Sequence, residues 1–386
     1  MNKIIRVSTV PESLYALLKG QLKYLSESFE VVGVSSSGEY LELTSERENI
    51  PVIAVDMERR INPIKDIRSL INLYKIFKRE KPYIVHSITP KAGLLSMIAA
   101  KFAGVPIRIH TFTGVVFPSK TGLFQKILIL MDRILCASAT HIYPEGNGVR
   151  KDLINFNITK KPLKIIANGN VNGIDLNFFD PKLYTSSANM QLKEELGIKE
   201  NDFVFIFVGR LVRDKGIEEL IMAFKEINVV NAKLILVGPY ENKIDPLSHL
   251  TLKEIKNNQN IIEVGFQKDV RPYFAIADAL VFPSYREGFP NVVLQAGAMG
   301  IPSIVTDING SNEIIENGIN GIIVPLKDVD KLKKNMTLIL DDVNFYKKLK
   351  NKSRSMIEEK YQQELVWQTL LKEYIELINS QQNKYS

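Results

Sequence analysis

Residues 203–224, FVFIFVGRLVRDKGIEELIMAF, decide the fold. From Phe203 to Val208 every side chain is apolar, so neither face of the segment meets water, and such a run suits an interior strand of a parallel sheet. Gly209 ends the run, and Ile217, Leu220, Ile221 and Phe224 then recur at helical spacing. Strand, short loop and helix in immediate succession are half of a βαβ unit.

The pattern repeats in both directions. Downstream run KLILVG, IIEVG, ALVFPS, SIVTD and GIIVP; upstream run IIRVSTV, EVVGVS, VIAV, YIVHSI, IRIHTF, HIYPE and KIIANG. Each is short and β-branched, with a helix-length segment before the next, which predicts an α/β protein of two Rossmann-like, doubly wound parallel sheets. Between the two series, residues 168–181, NGNVNGIDLNFFDP, are dense in Asn and Gly and mark the hinge. The expected domains are residues 1–172, residues 173–360 and a terminal helical segment, 361–386, packing back toward the first domain. In that segment Leu365, Thr369, Leu370, Tyr374 and Leu377 fall near helical spacing around the sole Trp367.

A chain of 386 residues, 45% hydrophobic and 24% charged, holds apolar material for two cores. Its one cysteine, Cys136, excludes an internal disulfide and a cysteine metal cluster, which fits a reducing compartment. The opening MNKIIRVSTV is too short an apolar run for a signal peptide, and LFQKILILMDRIL, interrupted by Lys126, Asp132 and Arg133, falls short of a membrane span. A cytoplasmic protein is expected. Residues 1–180 carry 24 Lys and Arg against 16 Asp and Glu, whereas the rest carries 26 against 27, so the first lobe holds the net charge of +7. Nucleic acid, anionic lipid heads and phosphorylated substrates would all be drawn to it.

In open parallel sheets ligands bind beyond the carboxyl ends of the strands. Arg210 and Lys215 stand between such a strand end and a helix start, where unpaired amides, the helix dipole and two cations suit a pyrophosphate. A helix cap with a surface ion pair to Asp214 is the competing reading of that segment. Residues 282–306, FPSYREGFPNVVLQAGAMGIPSIVT, add a loop with Glu287 and Gly288, a helix from about Pro290 to Met299, and a stop at Gly300 and Pro302. Glu287 offers a carboxylate to sugar hydroxyls, and Gln295 an amide to a ribose without adding charge near phosphates.

The Gly-Arg…Lys segment at Gly209, Arg210 and Lys215, EGFPNVVLQA at 287–296 and GIPSIVT at 300–306 together resemble the family 4 retaining glycosyltransferases of GT-B fold. In the first lobe VHSITPKAGLLSMIAAKFAGVP and HTFTG resemble that family's capsule and surface-polysaccharide branch, and NGIDLNFF its interdomain crossing. The resemblance implies two Rossmann-like domains facing across a cleft. It further implies that Arg210 and Lys215 hold the donor diphosphate and that Glu287 meets the donor sugar. Gly288 and Phe289 would present amides there, and Gln295 would meet the ribose. Gly209, Gly238, Phe266 and Pro290 complete the expected donor site. Glutamine at 295 replaces the glutamate usual in the family, and Thr113 stands just before Gly114 where a histidine is common. His110 is therefore taken as the catalytic histidine of that loop, with packing beneath the loop as its alternative. Glu12, His86, Lys91, Thr113 and Gly114 form the expected acceptor or sugar loop, where Glu12 reads as meeting an acceptor or as capping a helix near Ser13, His86, like His110, as reaching inward or packing, and Lys91 as binding an acceptor phosphate or as a solvated helix start.

The leaving group that the resemblance implies is a nucleotide diphosphate, and fixed Arg and Lys donors can stabilise its charge without a metal. Asp328-Val329-Asp330 is the one Asp-x-Asp pattern and reads as a helix cap. No cofactor is expected. The implied reaction moves a sugar, a hexose or N-acetylhexosamine, from a nucleotide diphosphate, UDP favoured, to a polyprenyl-diphosphate-linked saccharide at the inner face of the cell membrane. Residues 120–135 mix Lys120, Lys126 and Arg133 with Phe124, Leu128, Leu130 and Met131, which reads as core packing or as an interfacial helix. The rival functions are a sugar nucleotide 2-epimerase of the same architecture and a non-catalytic sugar-nucleotide-binding protein. A dinucleotide oxidoreductase is disfavoured, because the turn after the first strand reads STVPESL and lacks Gly-x-Gly-x-x-Gly. No nucleic-acid-binding module is present in the sequence.

Overall fold

The computed structural model describes residues 1–58, 61–227, 231–241 and 245–383. The chain divides into two compact units, one made of Met1–Gly173 and the chain from Gln363 onward, the other of Ile174–Gln362.

In the first unit, strands β1 (Lys3–Val7), β2 (Glu30–Ser35), β3 (Val52–Ala54), β4 (Ile84–Ser87), β5 (Ile107–Phe112) and β6 (His141–Pro144) form a parallel sheet in the order β3-β2-β1-β4-β5-β6. Alternate residues of β1 feed two separate cores: Ile5 and Val7 one, Ile4 the other. Helices Pro63–Glu80, Pro90–Ala103 and Gly122–Ser138 close the first core with Leu73, Ala92 and Leu135. Helices Pro11–Leu17, Gln21–Ser26 and Glu39–Glu48 close the other with Leu14, Leu22 and Leu41. Two helix layers follow from right-handed crossovers that run outward from β1 in opposite directions.

KIIANG, expected as a further strand, forms none. Only Leu163, just before it, bridges Ile142 of β6, and Ala167 and Asn170 turn through positive φ. The sheet therefore ends at β6.

The second unit repeats the design. Strands β7 (Phe203–Val208), β8 (Ala232–Val237), β9 (Ile261–Gly265), β10 (Ala279–Phe282), β11 (Ser303–Thr306) and β12 (Gly321–Val324) pair in parallel in the order β12-β11-β10-β7-β8-β9. Phe205, Ile206 and Phe207 are fully buried, as the run without alternation requires. Asp328 caps helix Val329–Asp341 by accepting a 2.8 Å bond from the Lys331 amide, the role read for it in the sequence.

The terminal segment is helical over Gln363–Gln382 and belongs to the first unit. Its inward stripe is Val366, Leu370, Tyr374 and Ile378, so Leu365, Thr369 and Leu377 stand off the line expected for them. Tyr374 reaches a buried polar cluster: its hydroxyl lies 2.5 Å from His86 Nδ1 and accepts a 3.3 Å bond from Arg6 Nη1. Trp367 donates from Nε1 to Asn172 Oδ1 at 2.7 Å. Among the described residues no helix is long and apolar enough to cross a membrane.

Candidate active site

In each sheet the strand order reverses direction at one place, between β1 and β4 in the first and between β7 and β10 in the second. Loops leaving such neighbours part to opposite sides and open a crevice at the carboxyl edge.

The second crevice gathers the charges. β7 ends in Gly209, and Arg210 follows; a single 3-10 turn, Arg213–Lys215, then lifts Lys215 to the start of helix Ile217–Glu226. β10 leads into Pro283 and Ser284, and Glu287 lies on the loop before helix Asn291–Ala298. The Lys215 ammonium pairs with Glu287 Oε1, which also accepts a 2.8 Å bond from Ser284 Oγ. Both partners keep little exposure, 14% and 17% of their side chains, so the pair is shielded from bulk water. The Lys215 ammonium also sits 5.5 Å from the Phe282 ring centroid. Among the described residues both bonds go to Oε1, which leaves Glu287 Oε2 for another donor.

Arg210, at the same edge, is half exposed and pairs with Glu241. The loops after β7, β8 and β9 are laced together: Gly209 N donates to Val237 O at 2.9 Å, Leu211 N to Pro239 O at 2.9 Å, and Gly238 N to Gly265 O at 2.8 Å. Gly238 has φ +142, and a Cβ there would fall 1.8 Å from the Gly209 carbonyl oxygen, so no other residue fits. That approach fixes where Arg210 leaves the sheet. Phe266, next to Gly265, keeps 67% of its surface, whereas Phe289 is buried against Tyr361 with ring centroids 5.5 Å apart. Gly288 and Pro290 flank Phe289 on the loop that carries Glu287, and Gln295 is half-buried one turn into the following helix.

Three positions at this edge escaped the sequence reading. Ser284 is fully buried and orients Glu287; Thr306, at the end of β11, donates to Ser284 O and holds that loop; Glu241 occupies Arg210. A small hydroxyl two residues after a strand end and three before a loop carboxylate was the available signal for Ser284.

The first crevice is built differently. Thr9, after β1, meets Thr89, after β4, with hydroxyls 2.7 Å apart, and its Oγ1 accepts a 3.1 Å bond from the Ala92 amide. Thr113 Oγ1 donates to Ile88 O at 2.9 Å and ties the HTFTG loop to the same edge, with Gly114 at φ +128. Glu12 is exposed in the first turn of helix Pro11–Leu17.

The histidines do not join this crevice. His110 is 1% exposed, its Nδ1 lies 2.8 Å from Ser87 Oγ, and its ring stands edge-on to Phe112. It fills the space left by Gly93, where a Cβ would meet His110 Cε1 at 2.4 Å. Burial pushes its pKa down to about 3, so the ring stays neutral. The catalytic role expected of His110 gives way to packing beneath the loop. His86, also expected at the sugar loop, is buried between Tyr374 and Thr111 Oγ1, 2.8 Å from its Nε2, and burial, then the Arg6 charge, hold its pKa well below the usual range. Lys91, expected to meet an acceptor phosphate, is buried and bonded to Asp66 at 2.7 Å, because its helix packs against helix Pro63–Glu80.

Similarity to known proteins identifies the family. Residues 7–145 match the family model "Glycosyl transferase 4-like" and residues 189–356 match "Glycosyl transferases group 1". The capsular polysaccharide biosynthesis glycosyltransferase CapM of Staphylococcus aureus is 32% identical over 99% of both chains. The chain belongs to the family 4 glycosyltransferases. A second relative, the UDP-Gal:alpha-D-GlcNAc-diphosphoundecaprenol alpha-1,3-galactosyltransferase of Escherichia coli, is 33% identical over 74% of this chain and 73% of its own. Anabaena Alr3699/HepE, solved in complex with UDP and glucose, superposes with a TM-score of 0.81 over 97% of this chain and 100% of that one at 17% identity, which shows a shared GT-B fold. This family 4 member is thus a glycosyltransferase whose second matched region contains Arg210, Lys215 and Glu287.

Proposed function

We propose that this glycosyltransferase moves a sugar from a UDP-sugar to a saccharide carried on a polyprenyl diphosphate during assembly of a capsule or other surface polysaccharide, with retention at the anomeric carbon. The observation that carries the reading is the Lys215–Glu287 pair at the reversal point of the second sheet, braced by Ser284. Cation and carboxylate held side by side match a donor whose diphosphate and sugar lie side by side.

In this reading Arg210 and Lys215 take up the charge that develops on the departing diphosphate. Glu287 Oε2 accepts from a sugar hydroxyl, and a leaving phosphate oxygen receives the acceptor's proton. Gln295 meets the ribose. The positive charge that a divalent ion would bring is supplied by the two side chains, so turnover should survive EDTA. The names of the S. aureus and E. coli relatives support the polysaccharide role, the UDP donor and the lipid-linked acceptor. A polyprenyl tail keeps the acceptor in the bilayer, so the enzyme works as a peripheral protein at the inner face of the cytoplasmic membrane.

The test is incubation with UDP-, GDP- and dTDP-sugars, with and without a short-chain polyprenyl-diphosphate N-acetylglucosamine, following nucleotide release and product mass. UDP release that requires the acceptor and yields a lipid heavier by one sugar supports the proposal. A free epimeric sugar nucleotide formed without acceptor would instead identify a 2-epimerase, and donor binding without turnover a sensor. Rates that collapse in EDTA and return with magnesium would overturn the metal-independent mechanism.

A further inference from the structure

The loop that carries Glu287 rests on the Lys215 turn at more points than the ion pair between them. At its start the Pro283 carbonyl lies against Gly216, where φ is +70 and a Cβ would fall 2.1 Å from Pro283 O, so turn and loop touch backbone to backbone. Tyr285 N then donates to Asp214 O at 2.9 Å, and Arg286 pairs with Asp214 Oδ2 at 3.5 Å. At the far end Phe289 anchors the loop against Tyr361.

The Tyr285 side chain reaches further. Its hydroxyl donates to Glu219 Oε1, in the first turn of helix Ile217–Glu226, which begins two residues after Lys215. The Lys327 ammonium, from beyond β12, sits 4.7 Å from the centroid of the same ring. Burial, then the bond to Glu219, hold the phenol above its usual range, so it keeps its proton and donates. The Glu219 carboxylate gains little else: among the described residues its Oε2 is buried without a hydrogen-bond partner. A buried, under-bonded carboxylate costs stability, and packing alone would be served better by an apolar side chain. Its neighbour Glu218 is satisfied locally, accepting from Ser248 N at 2.8 Å and pairing with Arg213 at 3.3 Å. Glu219 is thus placed for Tyr285, and Tyr285 stands two residues before Glu287.

We infer that Tyr285 and Glu219 are positioning residues for sugar transfer: their bond ties the Glu287 loop to the helix that follows Lys215, and so fixes carboxylate and ammonium at one spacing. That role presupposes the proposed function, in which Glu287 meets the donor sugar. Without the bond the loop stays attached through Gly216 and Asp214, but the peptide leading to Glu287 gains freedom. A reacting group displaced by about 1 Å can lose about a hundredfold in rate, so the loss falls on kcat, whereas Arg210 and Lys215 still hold the diphosphate.

The experiment compares Tyr285→Phe, Glu219→Ala, the two combined and Glu219→Gln, all in the full chain. Transfer from a UDP-sugar to short-chain polyprenyl-diphosphate N-acetylglucosamine gives kcat, calorimetry gives the Kd for UDP, and hydrogen exchange follows the amides of residues 284–289 without any turnover. Tyr285→Phe should lower kcat about tenfold, keep the Kd for UDP within about threefold and speed exchange in that loop. Glu219→Ala should do the same, and the combined variant no more than either alone, because both remove one interaction. Glu219→Gln should stay near the wild type, since its amide oxygen accepts from the same hydroxyl. Wild-type kcat in Tyr285→Phe, losses that multiply in the combined variant, or a Glu219→Gln that tightens UDP binding as removal of a charge would, each rejects the positioning role. If the wild type turns over no UDP-sugar, the proposed function fails instead, and the exchange rates alone decide whether the bond holds the loop.

Discussion

Glu241 holds the guanidinium that the proposed diphosphate needs, so the nucleotide must displace or share that contact. Glu241→Gln keeps the shape and removes the competing charge. Because exposed pairs are weak, UDP affinity should rise only about two- to fivefold, read by calorimetry, and unchanged affinity would exclude competition. Glu287→Gln should act on a different quantity. It leaves the Lys215 charge in place but weakens the grip on the sugar, so kcat should fall about a hundredfold or more while the Kd for UDP stays within about threefold. That Glu287, Arg210 and Lys215 gather at one sheet edge was legible because each lies on a loop that begins where a buried run gives way to Gly or Pro. His110 was not, because the face a strand-end side chain takes is set by the pleat and by what packs on it. Its counterpart was written elsewhere, in Gly93 within PKAGLLSMIAA: a glycine inside a helical pattern signals a close neighbour.

Among the elements, strands with two buried faces were the readable ones, since their unbroken apolar runs have few other homes. KIIANG failed because apolar residues alone do not create a ladder; past β6 the chain turns at Ala167 and Asn170. Helix Gly122–Ser138 was legible as an element, while its two apolar sides could not be separated by periodicity. Half-buried on it, Asp132 has its carboxyl pushed by burial from 3.8 up to about 7. A raised acid pKa means that the folded state resists ionisation, so stability is fullest below the unfolded value of 3.8 and is lost as pH rises through about 7. Asp132→Asn should therefore raise the melting temperature above about pH 7 and leave it unchanged near 3.8, by scanning calorimetry. An equal shift at both ends would point to packing alone.

At the scale of the molecule the terminal helix matters most, because Leu370, Tyr374 and Ile378 complete a core whose other members come from the beginning of the chain. Stopping the chain after Gln362 should strip Arg6 and His86 of the Tyr374 hydroxyl and expose that core. The first unit should then lose its cooperative transition, while limited proteolysis leaves a resistant fragment spanning about residues 174–362. Simultaneous digestion of both units would refute their independence. The same connectivity orders events on the ribosome. Residues Ile174–Gln362 leave the exit tunnel before the helix that finishes the earlier unit, so the later-encoded body can mature first. Until that helix emerges, the nascent amino-terminal lobe waits with one flank open, the interval in which a chaperone has most to shield.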